Sequence, residues 1–308
     1  MPWNPESLPP APERTFVVTG ATAGIGYFAS EQLASTGGHV VIAARSAAKA
    51  QSAQAAIREQ HPAASLDSTL MDLSSLASVA RAAEELSTLP RIDGIVLNGG
   101  AMAFSSSETT ADGLPVLLGT HVIANVALIA HLLPTLVASA ERHGISPRIV
   151  HTSTGYVERF GRPVGDVRRV PRIGIAAYTK AKTVTEIFAF ELDRRLRTAG
   201  LPVASIVTRP GVGVDAKTPH RAGIRDASTP YQRNPYTPWA QGKDTAAWSA
   251  VRAAIDPDAR GGDYFGPAGG VKGAPVAVPS PRTAQPGPDV ARRVWSQLEE
   301  LTGMELGI

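Results

Sequence analysis

Tyr178 and Lys182 stand four residues apart in a stretch free of Pro and Gly, AAYTKAKTVTEIF. On a helix this spacing stacks the two side chains on one face. An ammonium beside a phenol favours the phenolate. The pair therefore predicts a tyrosine whose pKa is lowered from its usual value of about 10, and which can give and take protons near neutral pH. Tyr and Lys also occur at this spacing on ordinary helix surfaces, so the chemistry depends on what else the chain supplies.

A second cluster lies near the start of the chain. Thr19-Gly20-Ala21-Thr22-Ala23-Gly24-Ile25-Gly26 follows the β-branched run TFVV and leads into a segment of helical character. Gly20 and Gly24 let the backbone turn tightly and approach a diphosphate, whose charge the free N–H groups of a helix start favour. Gly26 permits close packing of helix on strand. A glycine-rich turn without a ligand is the plainer alternative. A position after the first strand and before the first helix is the context that a dinucleotide motif requires. Where the second strand ends, the chain reads Ala43-Ala44-Arg45-Ser46. No carboxylate stands there to hold a ribose 2′-hydroxyl, and Arg45 can pair with a 2′-phosphate. NADP(H) is therefore expected as cofactor, with NAD(H) less favoured.

These residues need elements to position them. Short apolar runs near 15–20, 39–45, 65–73, 92–100, 146–154, 201–211 and 261–267 read as strands. Between them, segments near 24–38, 46–61, 74–87, 119–142, 175–199 and 242–256 read as helices. Strand and helix alternate, and the strands are apolar on both faces, so an α/β fold is expected: a doubly wound parallel sheet of about seven strands with helices on both faces. No linker splits the chain, and residues 1–308 read as a single domain. Residues 1–13 form an N-terminal extension, and 215–240 form a Pro-rich insertion without a clear period.

Composition narrows the classes. The net charge of +3 is too small and too dispersed to argue for nucleic acid. No run of 18 apolar residues occurs, so no membrane span is expected, and the first residues lack the order of a signal peptide. The absence of cysteine excludes disulfides and thiolate metal sites and fits a cytoplasmic location. No metal site is expected.

Taken together, the T-G-x-x-x-G-I-G loop and Tyr178-x-x-x-Lys182 resemble the short-chain dehydrogenase/reductase family, and nearly the whole chain takes part. Asp72-Leu73 is similar to the family's adenine-side pair. Asn98-Gly99-Gly100 stands where the family writes N-N-A-G, and Pro210-Gly211 matches the P-G after the sixth strand. Trp3 and the ending GGDYFGPAGG…VARRVWSQLEELTG resemble retinol-dehydrogenase-like bacterial oxidoreductases. The resemblance implies a Rossmann-type fold with a substrate lid at 215–240, and Tyr178 as general acid or base. It also implies that Lys182 lowers the Tyr178 pKa and holds the nicotinamide ribose, that a β5 hydroxyl polarises the substrate, and that the protein is a homo-oligomer.

Three positions depart from the family. Register puts Thr154 at the catalytic hydroxyl, with Ser153 as the alternative. Asp112-Gly113 and Pro134 keep the family's spacing and put His121 where an Asn holds a water beside the lysine. A histidine can hold that water, relay protons, or simply fill the space. Asp215 stands where a Thr contacts the nicotinamide carboxamide. Tyr231, Tyr236 and Trp239 in the insertion suit either a bulky substrate or anchoring of the lid. Arg159, Arg162, Arg168, Arg169 and Arg172 read first as a solvated charged loop, with recognition of an acidic substrate as the alternative. The function expected is an NADP-dependent oxidoreductase acting on a carbonyl or alcohol of a small or medium lipophilic substrate. The alternative is the same fold used for non-redox work, as an isomerase, cyclase or ligand-binding protein.

Overall fold

The computed structural model describes residues 3–101, 108–226 and 234–308. Seven parallel strands form one sheet with an eighth at its edge. They are β1 (Thr15–Thr19), β2 (His39–Ala44), β3 (Leu66–Leu70), β4 (Gly94–Leu97), β5 (Arg148–Thr152), β6 (Ala204–Thr208), β7 (Tyr264–Pro267) and β8 (Pro275–Ala277). Their order is β3-β2-β1-β4-β5-β6-β7-β8, and only β8 runs antiparallel to its neighbour. The chain reverses its direction of travel across the sheet between β1 and β4. That switch point opens a crevice at the carboxyl ends of the strands, the place where open α/β sheets bind ligands.

Alternation along each strand divides the core into two layers. In β1, Phe16 and Val18 pack towards α1 (Gly24–Ser35), α2 (Ala47–Gln60) and α8 (Lys243–Ile255). Val17 packs towards α3 (Leu76–Ser87), α5 (Ala124–His143), α7 (Gly174–Thr198) and α9 (Pro288–Thr302). The extension joins the first layer: Trp3 and Leu8 pack against it, and the Ala11 N–H donates to the Thr36 carbonyl at 2.8 Å.

The sheet bears out the expected doubly wound parallel architecture of about seven strands, with β8 a three-residue addition too short to show a period. The structure departs from the sequence expectation in four places. The remaining helices are α4 (Val116–Leu118), which precedes α5, and α6 (Gly155–Phe160), which follows β5; neither α6 nor α9 was expected. β3 is half exposed, as an edge strand can be. A π-helical turn, Gly119–Ile123, joins α4 to α5, so the long helix starts at Val116 rather than at 119. Finally, the combined helix Val116–His143 is long and apolar enough to cross a membrane, although 83% of its most apolar window is buried inside the fold. Burial against α3 and α7 accounts for its apolar character.

Candidate active site

Tyr178 and Lys182 both lie in the first turns of α7, and β5 ends beside them. The Lys182 ammonium donates to the Thr152 carbonyl at 2.6 Å and sits 5.9 Å from the centre of the Tyr178 ring. Thr154 caps α6, and its hydroxyl accepts from the Tyr156 N–H at 3.4 Å. A side-chain hydrogen bond also joins Thr154 to Tyr178. Ser153 takes no part in this group: its hydroxyl donates to Glu186, one turn past Lys182. Glu186 accepts as well from Tyr264 at 3.2 Å and Thr283 at 2.6 Å. Of the two candidate hydroxyls, the structure brings only Thr154 to the tyrosine.

The electrostatics differ from expectation. Burial, reinforced by Tyr156, pushes the Tyr178 phenol up to about 12, while its bond to Thr154 acts the other way. Burial also brings the Lys182 ammonium down to about 7, against the opposing effect of Glu186. The ammonium that should stabilise a phenolate is itself costly to keep charged in this pocket. Tyr178 is thus an acid through the neutral range, not a partly ionised phenol.

His121 stands in the π-helical turn, fully buried and edge-on to Tyr178 with ring centres 5.4 Å apart. Such turns insert one residue into a helix and recur at functional sites. His121 Nε2 pairs with the Ala101 carbonyl at 2.9 Å. A carbonyl only accepts, so Nε2 carries the hydrogen and Nδ1 is a bare, buried acceptor. Burial, helped by Lys182, lowers its pKa to about 3. A neutral imidazole with that pKa does not shuttle protons near pH 7. The His121 carbonyl accepts from Asn125 Nδ2 at 2.9 Å. A Cβ on Gly100 would fall 2.0 Å from His121 Cε1 and 2.1 Å from Nδ1, so the imidazole occupies the space a side chain at 100 would need.

The glycine loop forms a cradle. Gly20 and Gly24 have φ of +64° and +58°, which L side chains rarely adopt. A Cβ on Gly26 would lie 2.4 Å from the Gly20 carbonyl, and one on Gly20 would lie 2.7 Å from Gly99 Cα. The Gly99 N–H donates to Thr19 Oγ1 at 2.8 Å, and Asn98 Nδ2 donates to the Thr19 carbonyl at 3.4 Å. Leu73 packs over Gly99. Thr22, Gly24 and Ile25 are half-buried along the start of α1, so the loop is open to a ligand. Arg45 is exposed and has no ion pair or hydrogen bond among the described residues, leaving its guanidinium available to a phosphate. Ser46 caps α2 by accepting from the Lys49 N–H at 3.4 Å. The Asp72 carboxylate is engaged locally, accepting from Ser74 N–H and Oγ at 2.9 and 2.7 Å. The cradle fits a dinucleotide.

Pro210 and Gly211 follow β6, with Gly211 at φ +70° against the Val271 carbonyl. Two residues of this region, Gln241 and Lys243, went unread in the sequence. Gln241 donates to the Pro210 carbonyl at 2.8 Å and accepts from the Gly273 N–H at 2.9 Å, tying the two loops together. Lys243 opens α8 and reaches Asp215 at 2.5 Å, while its Cδ lies 3.7 Å from the site of a Gly24 Cβ. The Asp215 carboxylate is therefore held by a lysine above the glycine loop rather than left to face a carboxamide. These contacts join residues far apart in sequence, and no local pattern announces them. The expected lid is partly fastened to the body: Arg221 pairs with Glu31 of α1 at 2.6 and 2.9 Å and covers Phe28. Tyr236 and Trp239 are exposed, and Tyr231 lies outside the described residues.

Known proteins resemble this chain in sequence and in fold. The short chain dehydrogenase family profile matches residues 14–226. Polyprenol dehydrogenase of Mus musculus is 32% identical over 307 residues, covering 98% of this chain and 87% of that protein. Retinol dehydrogenase 13 of Homo sapiens is 28% identical over 301 residues, covering 96% and 86%. A solved structure of an uncharacterised protein from Mycobacterium paratuberculosis superposes with a TM-score of 0.75 at 26% identity, with 99% of each chain covered.

Proposed function

The chain belongs to the short-chain dehydrogenase/reductase family, and on that premise we propose that it is an NADP-dependent oxidoreductase interconverting a carbonyl and an alcohol on a lipophilic substrate. The observation that carries the reading is the grouping of Thr154, Tyr178 and Lys182 at the end of β5, beside a crevice whose glycine cradle fits a dinucleotide. The names of the relatives, a polyprenol and a retinol dehydrogenase, support a lipophilic substrate. The exposed Arg45 supports the phosphorylated cofactor.

Gly20, Gly24 and the α1 N-terminus would hold the diphosphate, Arg45 the 2′-phosphate, and Lys182 the ribose next to the nicotinamide. Bound there, the dinucleotide supplies hydride to the carbonyl carbon, or takes it back from the alcohol. In reduction Tyr178 gives its phenolic proton to the substrate oxygen. Its pKa near 12 keeps that proton in place until the oxygen becomes basic. The Thr154 hydroxyl donates to the same oxygen and orients the carbonyl. Charged Lys182 stabilises the phenolate left behind. His121 stays neutral and holds the turn at 98–101 through Ala101, acting as a positioning residue.

NADPH consumption with retinal as probe, followed in wild type and Tyr178→Phe, tests the reading. Turnover by wild type and its loss in the variant, with NADPH affinity retained, is expected. Equal consumption by both would sink the assigned role of Tyr178.

A further inference from the structure

The 23 residues between Thr154 and Tyr178 carry five arginines against two acids, an excess equal to the +3 of the whole chain. Both acids are committed: Glu158 pairs with Arg209, and Asp166 lies 3.8 Å from Arg169. Arg168 pairs with Glu300. Arg159, Arg162 and Arg172 are exposed and have no ion-pair or hydrogen-bond partner among the described residues. Two of these adjoin exposed apolar side chains in sequence: Arg159 precedes Phe160, 60% exposed, and Arg172 precedes Ile173, 68% exposed. Ile175 adds a third at 42%.

The loop bearing them is anchored. Val164 and Val167 are buried in the core, and Lys180 holds the carbonyls of Asp166 and Arg169 at 2.5 Å each. Gly161 packs beside Thr183, which places Phe160 near the third turn of α7, while Ile173 caps that helix. Thr183 lies eight residues past Ile175, so the exposed groups spread over about 12 Å of helix. Separated arginines on open surface do not converge on a small dissolved anion. Guanidinium groups next to bare apolar side chains suit an interface where phosphates overlie hydrocarbon.

We propose that the 155–177 stretch, with Arg159, Arg162, Arg172, Phe160, Ile173 and Ile175 exposed, docks the protein on the surface of an anionic phospholipid bilayer. This rests on the lipophilic-substrate reading: the stretch joins Thr154 to Tyr178, so docking sets the site beside the layer into which such a substrate partitions. Each arginine near an anionic surface strengthens partitioning by about fivefold, so three together are worth roughly 100-fold.

Sedimentation of the full chain with phosphatidylcholine vesicles, and with equimolar phosphatidylcholine–phosphatidylglycerol vesicles, tests the proposal. Binding to the mixed vesicles alone is expected. Arg159→Glu/Arg162→Glu/Arg172→Glu should lose about 100-fold or more, and Phe160→Ser/Ile173→Ser should weaken binding while NADPH affinity and Tm are kept. Failure of wild type to sediment with mixed vesicles, or variants that sediment unchanged, would overturn it. Light scattering that shows a dimer split by the same substitutions, without vesicle binding, would overturn it in favour of a second copy on this face. Vesicle binding by a protein inactive on every carbonyl would instead leave docking standing and remove the catalytic reading.

Discussion

At the scale of single residues, the Tyr–Lys pairing was legible in the sequence but its electrostatics were not. Four-residue spacing fixes who neighbours whom on a helix. It does not report burial, which reverses the direction expected for the Tyr178 pKa. Lys182 loses its charge as pH rises through about 7, and with it the stabilisation of the phenolate formed in reduction. Carbonyl reduction should therefore decline above pH 7, and Lys182→Arg, which does not titrate there, should move that decline upwards in a pH–rate profile. Thr154→Ala should lower kcat roughly 100-fold, while Thr154→Ser should keep most of it. His121 was visible as a departure from a family pattern and Gly100 as part of the N-N-A-G counterpart, and only the structure shows that they are one feature. Gly100→Ala should destabilise the fold by about 1–3 kcal/mol, and His121→Asn should relieve much of that cost in the double variant. Denaturant midpoints for the four proteins give the coupling; simple additivity would contradict the interlock.

At the scale of elements, strand–helix alternation was readable because buried parallel strands are continuous apolar runs. Three of the features it missed have physical reasons, whereas α9, with 15 residues and buried Ala291, Val294, Trp295 and Leu298 at helical spacing, was legible and went unread. β8 is three residues long, α6 is six, and the π-helical turn lies inside an apolar helix whose periodicity hides one inserted residue. The contact between Lys243 at the start of α8 and the glycine loop is a tertiary one that no pattern encodes. Under the dinucleotide reading, Lys243 lies where a diphosphate would draw it from Asp215. Lys243→Met should weaken NADPH binding by roughly 10- to 100-fold, the scale of a charge-assisted hydrogen bond. Asp215→Asn, by freeing the ammonium, should not weaken it. Titrations that show both variants equal to wild type would leave the pair a structural bridge only.

At the scale of the whole molecule, two buried histidines make the fold sensitive to acid. Burial holds His121 and His151 at about 3, well below the 6.5 of an exposed imidazole. Between those values the unfolded chain binds more protons than the native one, so stability falls as pH falls through that window. Tm should drop steadily below pH 6.5, and His121→Asn should flatten part of the slope. The layered sheet itself follows from residue alternation in β1, where Phe16 and Val17 face opposite helix layers. The crevice between β1 and β4 follows from the strand order, which no local reading contains. Fluorescence titration with NADPH and NADH, which needs no knowledge of the substrate, tests whether this crevice takes the phosphorylated dinucleotide. NADPH should bind at least 10-fold tighter than NADH, a difference of about 1.4 kcal/mol, with most of the preference lost in Arg45→Ala. Binding of neither nucleotide, or tighter binding of NADH, would contradict it.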